Sequence, residues 1–360
     1  EQAFKPTSPV LPNPMIIFPA GPILGLFLGI VFVLVLDHLE DKIVGISDIE
    51  QRLRLKTLAV LPHVRRKKRE QLARLVVDDK FSRFAEAVAG LRNLLDSPRY
   101  QEMSKVLLCM STQPGEGKTI TSCSLAASCA QSGQKTLLID FDMRRPRLAR
   151  IFEKKSTDFH SLPHMLAKND ASLFPSLPVP SGFENLDVVL SKASSEVSPA
   201  SLMGSGAIVE FFTWVREHYD RIIIDSPPFG IVGDVMVLAS LADAVMIMCC
   251  PDRTRFQPIK HAARHLTEAG ARVIGVIVND VDFGRRNHFS QYDYHYRYAY
   301  RYTSRYGAYG HDKRSGSKAA KPSAEGAPHG AKRAMDDDDL TPSSVAVRQD
   351  VVDVSMTDDE

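Results

Sequence analysis

Six short apolar runs recur between Lys80 and about Val281: Val106–Met110, Thr136–Asp140, Leu186–Leu190, Arg221–Asp225, Ala244–Cys250 and Val273–Asn279. Most are apolar throughout rather than alternating, the pattern of strands covered on both faces. Helices fit between them, such as Thr119–Ser132, stopped by Gly133. Strands alternating with helical stretches predict an α/β domain built on a doubly wound, mostly parallel sheet. At 360 residues the chain has room for one such domain plus extensions. A hydrophobic share of 44% excludes wholesale disorder, and 45 Lys+Arg against 43 Asp+Glu excludes a simple polycation wrapped around nucleic acid. Cys109, Cys123, Cys129, Cys249 and Cys250 form no CxxC pair and no Cys/His cluster, so no structural zinc site is expected. An odd cysteine count inside apolar runs suits a reducing compartment.

Both ends differ from this central texture. Residues 1–14 are proline-studded, and Met15–Leu36 is an uncharged run of 22 residues. At 1.5 Å per residue that run would make roughly 33 Å of helix, enough for a hydrocarbon core of about 30 Å. Residues 37–79 form a basic juxtamembrane linker ending in RRKKR at Arg65–Arg69, which by the positive-inside bias puts the following domain in the cytoplasm. A buried core helix or a signal peptide are the competing readings; the first must bury an all-round apolar surface, and the second lacks a basic leader and a cleavage site. Pro19 and Pro22 weigh against a span. The predicted organisation is an extracytoplasmic segment at 1–14, a transmembrane helix at 15–36, the linker at 37–79, the α/β domain at 80–285, a tyrosine cluster at 286–310, and a disordered acidic tail at 311–360 with its Asp336–Asp339 run.

Chemistry concentrates at three strand ends. STQPGEGKT, Ser111–Thr119, follows the first apolar run and precedes a small-residue helix. A phosphate chain needs backbone N–H groups facing it, a lysine for the β/γ-oxygens and a hydroxyl for magnesium; Gly115, Gly117, Lys118 and Thr119 supply these in order. The expected nucleotide-binding set is Gly115, Glu116, Gly117, Lys118, Thr119 and Ile120, although the pattern's usual first glycine is Thr112 here. The alternative is a glycine turn with a surface lysine. In LLIDFDMRRPR, Asp140 ends an apolar strand and Asp142 follows two residues later. One carboxylate can orient magnesium or its water while the other accepts a proton from an incoming hydroxyl, unless Asp142 simply pairs with Arg144 or Arg145. In RIIIDSPP, Asp225 ends a further strand as a second magnesium-facing carboxylate would.

On VLLCMSTQPGEGKT, TLLIDFDMRRPR, YDRIIIDSPP and VIGVIVNDV, the chain resembles the bacterial tyrosine kinases of the polysaccharide co-polymerase type, with the last transmembrane helix of their membrane module. The resemblance runs nearly continuously from Pro9–Pro14 to Asn279 and implies a P-loop NTPase-like fold using ATP and Mg2+. It implies that Lys118 serves the phosphates, that Thr119, Asp140 and Asp225 serve the metal, and that Asp142 is the base towards tyrosine. It also suggests that Asn279 contacts adenine, a strand-end cap being the alternative, and that Asp234 belongs to the pattern. The match departs at EAVAGLR, where Glu86 and Arg92 are present but Ala89 replaces an arginine of the family's ring-forming helix. A homo-oligomeric ring is therefore expected to be weakened.

Eight of the ten tyrosines lie at Tyr292, Tyr294, Tyr296, Tyr298, Tyr300, Tyr302, Tyr306 and Tyr309. By resemblance they are the phosphoacceptors, and modifying all eight would add on the order of −12 to −16 charges. An aromatic-faced strand or a stacking surface for single-stranded nucleic acid would also use such a cluster; no nucleic-acid partner is expected, because the interleaved Arg297, Arg301 and Arg305 are few for phosphate binding. The reading is a non-specific protein-tyrosine autokinase in a bacterial inner membrane, regulating exopolysaccharide synthesis, chain length or export. Its expected partners are itself, the polymerisation and export machinery, a tyrosine phosphatase and the membrane. The alternatives are a positioning-type ATPase, against which Gln113 stands where a signature lysine belongs, and an inactive co-polymerase scaffold.

Overall fold

The computed structural model describes residues 14–39, 42–43, 45–46, 48–64, 76–193, 198–229 and 233–283. The chain divides into two units, Glu1–Asp312 and Lys313–Glu360, and every described element lies in the first. The RRKKR run, the tyrosine cluster and the acidic tail lie outside the described residues.

Eight strands form one sheet in the order β1-β8-β7-β2-β6-β3-β5-β4. They are β1 (Thr57–Pro62), β2 (Val106–Ser111), β3 (Thr136–Asp140), β4 (Val179–Pro180), β5 (Leu186–Val189), β6 (Arg221–Asp225), β7 (Ala244–Cys249) and β8 (Val273–Val281). All neighbours pair in parallel except the short β4, which runs antiparallel to β5. The six expected strands are all present, within two residues of their expected ends. Two were not expected. The residues of β1, inside the stretch read as a linker, form an edge strand beside β8, and β4 is only two residues long.

Continuous apolar sequence is required because both faces of the sheet are covered. Along β2, Val106, Leu108 and Met110 join one core cluster while Leu107 and Cys109 join the other, the period-two alternation of a strand. The second cluster is capped by α2 (Arg83–Leu95) and α3 (Lys118–Gln131). The first is capped by α7 (Gly206–His218), α8 (Asp234–Leu241) and α9 (Phe256–Glu268). Shorter helices α4 (Leu148–Ile151), α5 (Leu162–Lys168) and α6 (Pro199–Met203) lie between. Small residues let α3 sit deep: Thr121–Ala130 is buried throughout. The N-terminal α2 starts at Ser82, whose hydroxyl accepts from the Ala85 N–H at 3.3 Å.

The N-terminal apolar run is helical, α1 (Pro14–Leu39). The expectation of a transmembrane span, and with it the placement in a bacterial inner membrane, is corrected: among the described residues no helix is long and apolar enough to cross a membrane.

The β1–β8 edge is tight. A Cβ on Gly275 would run into the Lys56 carbonyl and lie 2.8 Å from Leu58 Cγ. Gly275→Ala is therefore expected to destabilise the protein by about 1–3 kcal/mol, measured by denaturant unfolding; an unchanged midpoint would contradict this packing.

Candidate functional site

The parallel register brings the C-terminal ends of β3, β6, β2, β7 and β8 to one edge, where open α/β sheets bind ligands. Asp140 of β3 is in register with Asp225 of β6, and Asp225 with Cys109 of β2, so two carboxylates and the Ser111–Thr119 loop stand side by side. A cavity of about 830 Å³ opens over this edge, lined among others by Gly115, Gly117, Lys118, Thr119, Ile120, Asp142 and Asn279.

The loop is shaped by its own buried glutamate. One Glu116 carboxylate oxygen accepts from the backbone N–H groups of Thr112 and Gln113, each at 3.0 Å, and the other accepts from the Thr254 hydroxyl. Glu116 is only 4% exposed and does not line the cavity, so its side chain holds the loop from behind. Burial raises its carboxyl above the usual range, opposed by the hydrogen bonds from Thr254 and the backbone. Its carbonyl accepts from Cys250 Sγ at 3.4 Å and from the Asn279 amide at 3.0 Å. Gly115 and Gly117 take φ of 84° and 95°, the left-handed conformation that glycine adopts without strain. A Cβ on Gly117 would also collide with the Asn279 amide. Asn279 thus ties β8 to the loop while lining the cavity.

The three acidic residues have different surroundings. Asp140 is fully buried and accepts from the N–H groups of Arg147 and Leu148, both at 3.1 Å, and of Asp142 at 3.2 Å. Burial, then the adjacent Asp225 charge, pushes its carboxyl well above the ordinary range. It braces the turn after β3 and does not line the cavity. Asp225 is 1% exposed, and one of its oxygens, Oδ1, has no hydrogen-bond partner. Burial raises it to about 6, opposed by the Lys118 charge and the Thr119 hydroxyl. Asp142 is half-buried at the cavity wall, its Oδ1 accepting from the Arg145 N–H at 3.1 Å. Burial raises its carboxyl as well, against that hydrogen bond and the Lys118 charge. Arg144, which lines the cavity, turns instead to Asp234, 3.9 Å away.

Magnesium fits this edge through Thr119 and Asp225. The unpartnered Asp225 oxygen is a buried acceptor without a donor, a costly state that a cation relieves. No cluster of three metal-binding side chains occurs among the described residues. Magnesium at phosphate sites takes one or two protein ligands plus water and phosphate oxygens, so none is needed. Sequence reasoning overlooked Arg147, Arg253 and Asp280, which also line the cavity. Asp280 takes His63 at 2.7 Å and Arg253 at 2.7 Å, a bridge between strand ends that no local motif announces. The tyrosines of the cluster lie outside the described residues, so nothing here brings them to the cavity. Arg92, expected at a subunit contact, donates to the Ser128 carbonyl at 3.1 Å and to Asn93 Oδ1 at 2.8 Å within its own chain.

A parallel sheet with a glycine loop and lysine feeding a buried helix defines a P-loop nucleotide-binding protein. Residues 104–269 match the AAA domain family AAA_31. The chain is 31% identical over 231 residues to the putative tyrosine-protein kinase CapB of Staphylococcus aureus, an alignment covering 64% of this chain and 98% of that protein. It is 29% identical over 311 residues to the putative tyrosine-protein kinase EpsB of Ralstonia solanacearum, covering 81% of this chain but 40% of that longer protein. The kinase domain of Escherichia coli tyrosine kinase ETK superposes with a TM-score of 0.59 at 25% identity, covering 67% of this chain and 96% of that domain. The chain belongs to the bacterial tyrosine-protein kinases.

Raised carboxyls make a signed prediction. Between an ordinary aspartate value of about 4 and the folded value of about 6, the folded chain holds more protons at Asp225 than the unfolded chain does. Stability of the unliganded protein therefore falls as pH rises through that window. Asp225→Asn removes this contribution, so denaturant unfolding at pH 4.5 and pH 7 is expected to give a smaller loss than wild type, by on the order of 1–3 kcal/mol. An equal or larger loss in the variant would contradict the assignment.

Proposed function

We propose that the chain is an ATP-dependent tyrosine autokinase that modifies its own C-terminal tyrosine cluster, and that it regulates exopolysaccharide synthesis, chain length or export. One observation carries the site reading: the unpartnered Asp225 oxygen lies at the same sheet edge as Thr119 and Lys118, beneath a cavity large enough for a nucleotide. The regulatory role rests on family resemblance, as do a polysaccharide-export partner, a phosphatase and self-association.

Backbone N–H groups of the Gly115–Lys118 loop, at the positive end of α3, face the phosphate chain. Lys118 brings its charge to the β/γ-oxygens, with the loop glycines leaving room for that approach. Thr119 and Asp225 would hold magnesium, which would supply positive charge against the oxygens of the transferring group. Asp140 positions the turn that carries Asp142, through the Asp142 N–H. Asp142, at the cavity wall, accepts the phenol proton as the tyrosine oxygen bonds to the γ-phosphorus and the bond from phosphorus to the leaving ADP oxygen breaks. Its raised carboxyl brings it nearer the working range of a base. Adenine is received on the Asn279 side, where Pro62, Val64 and Phe84 supply apolar wall.

Lys118→Met is expected to lower tail phosphotyrosine by at least ~100-fold in purified protein given Mg2+ and ATP, with the unfolding midpoint kept. Deleting residues 292–309 should remove nearly all phosphotyrosine yet leave ADP release measurable. Wild-type labelling in either variant would overturn the reading.

A further inference from the structure

Helix α9 turns Phe256, Ile259, Ala262 and Leu266 into the core, which leaves the face carrying His261, Arg264, His265 and Glu268 towards solvent. His261 and His265 are four residues apart, so their side chains are neighbours on that face. Their rings meet at a centroid distance of 4.2 Å and an angle of 60°, and the two Nε2 atoms are 2.9 Å apart. On the far side of His265, Glu268 Oε2 lies 3.5 Å from Nδ1, while Glu268 Oε1 is 3.4 Å from Arg264 Nε.

This arrangement has a chemical consequence. Two Nε2 atoms this close cannot both direct a proton at each other, so at least one presents a lone pair. A carboxylate beside Nδ1 of His265 favours the proton on that nitrogen, which leaves the His265 Nε2 lone pair facing His261. A metal ion about 2.0–2.1 Å from each imidazole nitrogen would subtend roughly 90° across a 2.9 Å base. That is a cis angle of tetragonal or octahedral coordination, narrower than a tetrahedral site requires. His265 also lies in the last turn of the helix, where the dipole favours cations. No third protein ligand converges among the described residues, so water completes the shell.

We propose that His261 and His265 form a two-nitrogen surface site for a divalent transition-metal ion of tetragonal preference, Cu2+ or Ni2+, with Glu268 orienting the His265 ring. The site is separate from the nucleotide edge in chemistry: it is built from imidazole nitrogens, and hard Mg2+ is not its ligand.

Calorimetric titration of the full chain with Ni2+ in excess Mg2+, and copper electron paramagnetic resonance, test this. Wild type is expected to show one class of site that each of His261→Ala and His265→Ala weakens by more than about tenfold, together with loss of a two-nitrogen copper signal. Glu268→Gln should weaken the same site less, without changing its stoichiometry. Both histidines are on the solvent face, so far-UV circular dichroism should be unchanged. Wild-type Ni2+ affinity and an unaltered copper signal in both single variants would overturn the proposal, since any remaining metal would then be held elsewhere on the chain.

Discussion

Two aspartates side by side at the ends of adjacent buried strands govern this molecule. The pairing of β3 with β6 sets Asp140 opposite Asp225, and neither carboxylate reaches water. Burial alone disfavours two charges there, and their mutual repulsion adds to it. The fold answers with unequal surroundings. Asp140 receives three backbone N–H groups, while Asp225 keeps one oxygen unpartnered within reach of the Lys118 charge and the Thr119 hydroxyl. Asp140 supports the turn, and Asp225 is left with a buried acceptor that has no donor.

A second set of ties keeps the phosphate loop in shape without a ligand. Glu116 gathers Thr112 and Gln113 of its own loop, and reaches Thr254 beyond β7. Asn279, on β8, holds the Glu116 carbonyl and fills the space over Gly117. Three strands therefore converge on one peptide segment, so the N–H groups are arrayed before a nucleotide arrives. Such preorganisation is how phosphoryl-transfer sites act, since positioning and charge do most of the work.

Much of this was legible in the sequence because strand interiors here are buried on both faces and therefore read as unbroken apolar runs. Asp140 and Asp225 showed themselves as acidic ends of such runs, and Gly115–Thr119 as a motif with an obligatory spacing. Contacts between distant segments were not legible. Glu116 looked like a ligand-facing loop residue, since nothing local announces that Thr254 waits beneath it. Asp234 gained its partner Arg144 only through folding. The residues of β1 were hidden among charges in a stretch whose basic texture suggested a linker. The apolar N-terminal run gave the clearest overreach: composition suggested a membrane span, whereas no described helix has the length and apolarity to cross one.

The most direct test of the account is whether metal-nucleotide binding expels a proton from this edge. ATP titrations near pH 6, with and without Mg2+, in two buffers of different ionisation enthalpy, read both binding and proton release. Because burial raises the Asp225 carboxyl to about 6, the account predicts magnesium-dependent binding with net proton release that Asp225→Asn reduces. Binding that ignores magnesium, or that releases no proton in either buffer, would contradict it.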